Sequence, residues 1–362
     1  MSNTLFEPYT LGNLTLKNKV VMSPMTRCRS TAAHVPHTEL MGEYYQQRAN
    51  AGLIITEGTA PSANGVGYAR IPGLYNAAQV EAWKTVTDRV HAEGAKIFAQ
   101  LMHTGRVSHL LNMPSDAEIV GPSAVAAQST QMYTDQEGNQ KVPVPRAMTT
   151  ADIEQAIQEF VSAAKNAIAA GFDGVELHAA NGYLLEQFLN PHANHRTDEY
   201  GGSKENRARF VLEIAKHVTE AIGSERTGIR LSPGGAFNDV LPFDDQHESF
   251  VYLAEELKGL DLVYVHLVDH SAMGAPAVDI ETKKAIRDAF GGTIIVSGGY
   301  NRDRATQDLD DGLGHLVAFG RPFIANPDLV SRMKEGKEIA QPNFDLFYTP
   351  GPAGYTDYPT AS

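Results

Sequence analysis

Three side chains that could polarise an oxygen and deliver a proton lie within six positions: His178, Asn181 and Tyr183. They follow the apolar run at residues 175–177, where the sequence changes to a glycine-broken turn. An imidazole and an amide can hydrogen-bond a carbonyl oxygen, and a phenol can supply a proton. The same residues would equally suit a helix start with a capping asparagine and a packed aromatic ring.

The composition limits the classes of protein to consider. With 362 residues, 42% of them hydrophobic, the chain can bury the core of one barrel or of two ordinary domains. The 43 acidic and 30 basic residues give a formal charge of -13, which argues against nucleic acid or an anionic membrane as the main partner. The single cysteine, Cys28, excludes an internal disulfide and a cysteine-ligated cluster.

Nothing in the sequence indicates export or membrane insertion. The first residues, MSNTLFEPYT, lack a basic segment followed by an apolar one. No apolar run approaches the ~20 residues that a membrane helix needs. We therefore expect a soluble cytoplasmic protein.

One pattern recurs along the chain: an amphipathic helix, a glycine, a short apolar strand, then small or polar residues. The strands read KVVMSPM, LIITEG, AKIFAQLMH, FDGVELHA, ERTGIRLSP, LDLVYVHL, TIIVSGG and HLVAFGRP. Such alternation forces right-handed crossovers and a parallel sheet, and eight strands close a (β/α)8 barrel. The main rival is an open doubly wound sheet, but no GxGxxG turn follows any strand. We predict one α/β domain over residues 1–362 with a TIM-barrel fold.

Three additions to the barrel are predicted. Residues 5–19 alternate around turn residues and predict an N-terminal hairpin that could plug one end. Residues 104–148 interrupt the repeat between the third strand and the third helix, and the segments TQMYT and KVPVP predict a hairpin lid there. The aromatic, turn-rich tail at 343–362 should fold back over the barrel.

In barrel enzymes the chemistry lies at the C-terminal ends of the strands. Here these ends mix amide, hydroxyl, guanidinium and glycine groups, which predicts no metal site and no Schiff-base lysine. Arg230 and Arg321 suggest a ligand with negative charge at both ends, and SGGY and GRP lie where many barrels bind phosphate. A flat phosphorylated ligand such as FMN fits this set. Alternatively, Arg230 could form an ion pair with the inward-facing Glu176 on the neighbouring strand.

Long segments of the chain resemble the old yellow enzyme family of FMN-dependent ene-reductases, including its N-ethylmaleimide and pentaerythritol tetranitrate reductase branch. In family order these segments are LFEPYTLGNLTLKNKVVMSPMTR, ANAGLIITEGT, IFAQLMHTGR, GVELHAANGYLLEQFLNPHANHRTDEYGGSKENRARF, RLSP, GRPFIANPDL and GYTDYP. The resemblance runs essentially from end to end, and the segment around the fourth strand is its most specific part.

The resemblance implies a non-covalent FMN with its ring across the barrel mouth. Thr26 would hydrogen-bond the flavin carbonyl beside the reactive nitrogen and tune its potential, and Gln100 would hold the pyrimidine edge. Arg230 would offset negative charge on the reduced ring. The other ring and phosphate contacts would come from Pro24, Met25, Gly58, Gly298, Gly299, Gly320 and Arg321.

The same resemblance implies roles for the first cluster. His178 and Asn181 match the pair that binds the activating oxygen of the substrate. Tyr183 matches the proton donor, because a tyrosine with a reference pKa of about 10 is protonated at neutral pH. Tyr68, Met102 and Tyr348 would line the substrate pocket, and Met102 predicts a roomier pocket because close relatives carry a tryptophan there.

The implied reaction has two halves with ping-pong kinetics. NAD(P)H passes hydride to FMN and leaves, and an enone, enal, maleimide or nitroalkene then takes hydride at its β-carbon and a proton from Tyr183. Two alternatives stay open: a flavin-free phosphate-binding lyase or isomerase that uses His178 and Tyr183 as acid and base, and a non-catalytic flavin carrier or sensor. We expect a monomer or weak homodimer.

Overall fold

Eight parallel strands form a closed barrel in the computed structural model, which describes residues 3–361. Successive strands are neighbours, and the eighth pairs with the first through Val317 opposite Val20. The strands are Val20–Met22, Leu53–Ile55, Lys96–Leu101, Gly174–Ala179, Thr227–Leu231, Tyr264–Val268, Ile294–Ser297 and Leu316–Phe319. The predicted (β/α)8 barrel and its eight strands are confirmed. The open doubly wound sheet is excluded because the barrel is closed.

Helices connect the strands and cover the outside of the barrel. They are Thr38–Gln47, Ala77–Ala92, Thr150–Ala169, Lys204–Ile222, Gln246–Gly259, Ile280–Phe290, Arg302–Asp310 and Leu329–Glu335, with two short helices at Leu184–Leu189 and Arg321–Ala325. Thr149 and Asp152 form a capping box at the start of the third helix, whose buried face includes Phe160. Burial of Phe160 stabilises this packing by roughly 1.5–3 kcal/mol. Across residues 3–361, no helix is both long and apolar enough to cross a membrane.

The barrel interior is apolar near the N-terminal ends of the strands and polar further up. The predicted N-terminal hairpin, Tyr9–Leu11 paired with Leu14–Leu16, plugs the lower end. Its Leu11 and Leu16 are fully buried among inward-facing barrel residues such as Phe98. Because side chains alternate along a strand, the next inward positions lie two residues further on. Buried polar residues follow at these positions, and the four that are hydrogen-bonded to one another are called the polar layer below: Gln100, Glu176, His266 and Ser297.

A small hairpin follows the third strand, with Gln131–Thr134 antiparallel to Gly138–Lys141. The predicted hairpin cap is therefore confirmed, including its first segment, TQMYT. The second segment, KVPVP, was wrong, because the second strand is formed by GNQK and ends at Lys141. Pro143 and Pro145 lack the N–H groups that continuing this ladder would require.

The C-terminal tail lies against the top of the barrel beside the first strand. Arg27 and Arg29 donate hydrogen bonds to backbone carbonyl oxygens of the tail, including that of Phe347. The ring of Tyr355 stacks on Tyr44, with centroids 3.9 Å apart and planes inclined by 7°. These contacts hold the tail at the rim where the strand ends converge.

Candidate active site

His178 and Tyr183 meet at the top of the fourth strand. His178 lies near the end of Gly174–Ala179, and Tyr183 immediately precedes the short helix Leu184–Leu189. Their rings make an edge contact with centroids 4.9 Å apart. The phenolic oxygens of Tyr183 and Tyr68 are 2.8 Å apart. Tyr183, not an asparagine, holds the position before the helix, so the alternative of a capping asparagine is not what this stretch forms.

The protonation states of this cluster follow from burial. Burial lowers the pKa of His178 well below its usual value, and Arg230 nearby adds to the effect. The Ala180 N–H donates to His178 Nδ1 at 3.3 Å, so the neutral ring carries its proton on Nε2. Burial also raises the pKa of Tyr183 to about 12. The cluster therefore contains a neutral imidazole donor and a protonated phenol.

The turn that carries Asn181 is held by several hydrogen bonds. Asn181 has a left-handed backbone with φ of 60°. Its N–H donates to Ser232 Oγ at 3.0 Å, and its carbonyl oxygen accepts from Asn238 Nδ2 at 2.7 Å. Glu186 accepts from Ser232 Oγ and from the Gly182 N–H, each at 2.6 Å. The sequence did not indicate a role for Glu186 or Ser232; the only signal was a carboxylate in the apolar run LLEQFL.

Replacing Glu186 with glutamine should remove a decrease in the free energy of unfolding that wild type shows as pH rises through neutrality. Burial raises the pKa of Glu186 to about 7, from 4.5 for the exposed group. The unfolded chain ionises first, so this group lowers the free energy of unfolding by roughly 2 kcal/mol as pH rises from about 5 to about 8. Urea denaturation at both pH values should show the Glu186→Gln variant gaining that amount relative to wild type.

The exposed Glu255 offers a matched control for this pH series. The Glu255→Gln variant removes an exposed carboxylate, so comparison with it isolates the contribution of the buried one. If the free-energy difference of Glu186→Gln from wild type depends on pH no more than that of Glu255→Gln, Glu186 does not titrate in this way.

The polar layer forms one hydrogen-bonded chain below the site. Glu176 accepts from Gln100 Nε2 and pairs with His266 Nδ1, both at 2.8 Å, and His266 Nε2 lies 3.0 Å from Ser297 Oγ. His266 was not predicted as a site residue, although it lies two positions after the inward-facing Tyr264.

Arg230 is not paired as the alternative interpretation supposed. Both oxygens of Glu176 are engaged by Gln100 and His266. Among residues 3–361, Arg230 Nε is buried without a hydrogen-bond partner. A buried, unpaired guanidinium is costly unless an anionic or polar group comes to it, so Arg230 is poised for a ligand.

The remaining candidate cofactor residues lie at the C-terminal ends of the strands, above the polar layer. Pro24 is buried, whereas Met25 and Thr26 are partly exposed after the first strand. Gly298 and Gly299 have φ of 128° and 63°, and a Cβ on Gly298 would overlap the Asp269 carbonyl oxygen. Only glycine fits this backbone, which can approach a ligand closely.

The C-terminal end of the eighth strand is followed by an exposed, positively charged residue. Arg321 is exposed and lies over the ring of Phe344, at 5.5 Å from its centroid. Gly320 has room for a Cβ, since the nearest atom would be Met25 Sδ at 3.5 Å. Arg321 and the buried Arg230 thus offer positive charge at two depths, as a flavin phosphate and a flavin ring require.

The three candidate wall residues differ in position. Tyr68 contacts Tyr183 directly. Met102 is 1% exposed and packs behind Gly58, where a Cβ would overlap its side chain. Tyr348 is 57% exposed at the rim, where its carbonyl oxygen accepts from Arg70 at 2.9 Å.

A (β/α)8 barrel with a buried unpaired arginine, strand-end glycines and a neutral histidine beside a tyrosine defines a flavin-dependent barrel oxidoreductase. The family described as NADH:flavin oxidoreductase / NADH oxidase matches residues 4–339. A probable flavin mononucleotide-dependent alkene reductase of Leishmania infantum is 39% identical over 360 residues, covering 99% of this chain and 97% of that protein.

Two solved structures are similar over almost their full lengths. The old yellow enzyme homologue from Zymomonas mobilis has a TM-score of 0.95 at 39% identity, covering 99% of this chain and 100% of that one. Morphinone reductase in complex with tetrahydroNAD has a TM-score of 0.94 at 42% identity, covering 100% and 98%. The chain belongs to the old yellow enzyme family. It is an FMN-dependent ene-reductase that uses a nicotinamide as reductant, and the two alternative functions are not favoured.

Proposed function

We propose that this barrel mouth reduces electrophilic alkenes through three residues in defined roles: His178 and Asn181 bind the activating oxygen, and Tyr183 protonates the α-carbon. The observation that carries this proposal is the contact between a neutral imidazole, with its proton on Nε2, and a phenol that stays protonated well above neutral pH. Bound FMN supplies the hydride, which it receives from NAD(P)H.

The proposed cofactor site uses residues from several strand ends. Thr26 and Gln100 hold polar edges of the ring, and Arg230 faces the negative charge that hydride transfer adds. Further ring and phosphate contacts come from Pro24, Met25, Gly58, Gly298, Gly299, Gly320 and Arg321. The buried, unpaired Nε of Arg230 and the glycine-only backbone at Gly298 support this assignment.

The oxygen site works with neutral donors. As hydride reaches the β-carbon, negative charge develops on the substrate oxygen, where Nε2–H of His178 and the amide of Asn181 stabilise it. The Ser232 and Asn238 bonds fix the Asn181 backbone, so its side chain starts from a defined position. Neither donor needs to change charge during the reaction.

Proton delivery uses the tyrosine pair. Tyr183 gives its proton to the α-carbon, and the Tyr68 hydroxyl, 2.8 Å away, can donate to the phenolic oxygen as it does so. That hydrogen bond opposes the effect of burial and lowers the pKa of Tyr183 relative to an isolated buried phenol. Tyr68 therefore assists the acid without touching the reacting carbon.

The proposed substrates are enones, enals, maleimides and nitroalkenes, and the proposed pocket for them is lined by Tyr68 and Tyr348, with Met102 in its wall behind Gly58. Nicotinamide and substrate use the same mouth in turn. We further propose a single domain over residues 1–362 that acts in the cytoplasm as a monomer or weak homodimer.

Stopped-flow spectroscopy tests the function directly. The purified protein should bind FMN with absorbance near ~450 nm, and 2-cyclohexenone should re-oxidise the NADPH-reduced protein under anaerobic conditions. Cyclohexanone is the matched control, because it offers the same oxygen without the C=C bond and should cause no re-oxidation. Bound FMN with no enone-dependent phase would indicate a carrier, and absence of FMN binding would refute the cofactor site.

A further inference from the structure

We propose that Glu176, buried under the proposed flavin site, is a countercharge that lowers the redox potential of bound FMN and opposes Arg230. The inference rests on the proposed placement of FMN over Gln100 and Arg230. Glu176 is 0% exposed and takes no part in the reaction described above. A buried carboxylate needs compensating partners, and the hydrogen-bond partners of Glu176, which are Gln100 and His266, lie in the polar layer.

Strand register sets the vertical order of the two charges. Glu176 lies opposite Gly228 on the fifth strand, and Arg230 lies opposite His178. Arg230 is therefore two residues closer to the C-terminal end of the barrel than the position that faces Glu176. Arg230 also lies opposite His266 on the sixth strand. Because alternate strands of a barrel share an interior layer, Glu176 and His266 are level, and Arg230 on the strand between them lies in the next layer towards the mouth. No hydrogen bond joins Arg230 to Glu176.

The polar layer carries one net negative charge. Burial alone would raise the pKa of Glu176, but the hydrogen bonds from His266 and Gln100 and the positive charge of Arg230 hold it below its usual value, so it is a carboxylate at neutral pH. Burial keeps the pKa of His266 below its usual value despite the attraction of Glu176, so this ring is neutral and donates from Nδ1 to the carboxylate. Gln100 and Ser297 contribute hydrogen bonds but no charge.

The two buried charges act in opposite directions on flavin reduction. Hydride from NAD(P)H brings two electrons and one proton, so NAD(P)⁺ is released and the flavin gains one negative charge. Arg230 favours that added charge and Glu176 disfavours it, and in the buried interior neither is strongly screened by solvent. Without Glu176, the charge of Arg230 would be uncompensated and the potential would rise.

A Glu176→Gln variant isolates the charge because the hydrogen bonds can all be kept. The introduced amide accepts from Gln100 through its oxygen and donates through its nitrogen to His266 Nδ1. The His266 proton then moves to Nε2 and is donated to Ser297 Oγ, whose hydroxyl donates to the Leu267 carbonyl oxygen at 3.2 Å. The change thus removes one charge with little change in shape.

The midpoint potential of bound FMN, measured by equilibration with a reference dye, tests the inference. In Glu176→Gln the ratio of reduced to oxidised flavin, at a fixed solution potential, should rise about tenfold. That ratio corresponds to a midpoint potential ~30 mV more positive for a two-electron couple. The control is His266→Asn, which keeps a donor to Glu176 and the carboxylate charge, and should change the ratio by less than about threefold. An unchanged potential in Glu176→Gln with FMN bound would overturn the inference and leave the proposed function intact.

A second comparison, between two variants without the Arg230 charge, keeps the test decisive if Glu176→Gln alone prevents FMN binding. The double variant Glu176→Gln/Arg230→Gln removes both buried charges, and Arg230→Gln alone removes the cation. At the same solution potential, the ratio of reduced to oxidised flavin should be about tenfold higher in the double variant than in Arg230→Gln. Equal potentials in these two proteins would overturn the inference. Failure of wild type to bind FMN at all would instead refute the proposed function.

Discussion

Replacing Tyr183 with phenylalanine should slow enone reduction by about a hundredfold or more, because a positioned general acid contributes roughly 10²–10⁴ in rate. The flavin half-reaction with NADPH should change little, since it needs no proton from the protein. The hydroxyl is the only group lost, and the ring keeps its edge contact with His178 at 4.9 Å. Stopped-flow measurement of the two half-reactions on one preparation separates these effects.

Tyr68→Phe is the matched control for this variant. It removes the hydroxyl that lies 2.8 Å from the Tyr183 oxygen and leaves the acid itself in place. The expected loss is about fivefold, which corresponds to one hydrogen bond of ~1 kcal/mol. Equal losses in both half-reactions of Tyr183→Phe would show that the ring supports the flavin site and does not donate the proton.

The barrel was predictable because its determinants are local in sequence. Each strand is a short apolar run after a helix and a glycine, and the residue that ends it is read directly from the chain. The N-terminal hairpin followed from the same kind of pattern. KVPVP failed for a local reason too: apolar alternation outweighed two prolines that lack the ladder N–H.

The hydrogen-bond partners within the site were not predictable from the sequence. Glu176 and His266 are 90 positions apart and meet only because alternate strands of a barrel share an interior layer. Sequence order made Arg230, on the adjacent strand, the natural partner for Glu176, but register places it nearer the mouth. Residue types at strand ends show which chemistry is available, and closure of the barrel decides which groups are paired.

The Asn181 turn shows the same limit at short range. The sequence places Asn181 between His178 and Tyr183 but does not show its left-handed backbone, with φ of 60°. That conformation is held by Ser232 from the fifth strand and by Asn238, both more than fifty positions away. The position of the amide is therefore a property of the folded barrel top.

Replacing His178 with alanine should weaken the binding of p-hydroxybenzaldehyde by roughly tenfold to a hundredfold, as expected for loss of a hydrogen bond of ~1.5–3 kcal/mol to a charged oxygen. The bound phenolate oxygen resembles the enolate oxygen that develops during reduction, so it should occupy the same donors. Charge-transfer absorbance on titration of the oxidised protein reports the affinity. Unchanged titration curves would place the oxygen site elsewhere.

The pH profile and a conservative variant distinguish a neutral donor from a cation. Because burial holds the pKa of His178 well below its usual value, its contribution should be constant between about pH 6 and pH 8, and only the ligand phenol should titrate. A charged imidazole would instead lose its contribution as pH rises through this range. His178→Asn retains an N–H donor and should recover part of the affinity lost in His178→Ala. Recovery without a change in the pH profile would assign the oxygen contact to hydrogen bonding rather than to charge.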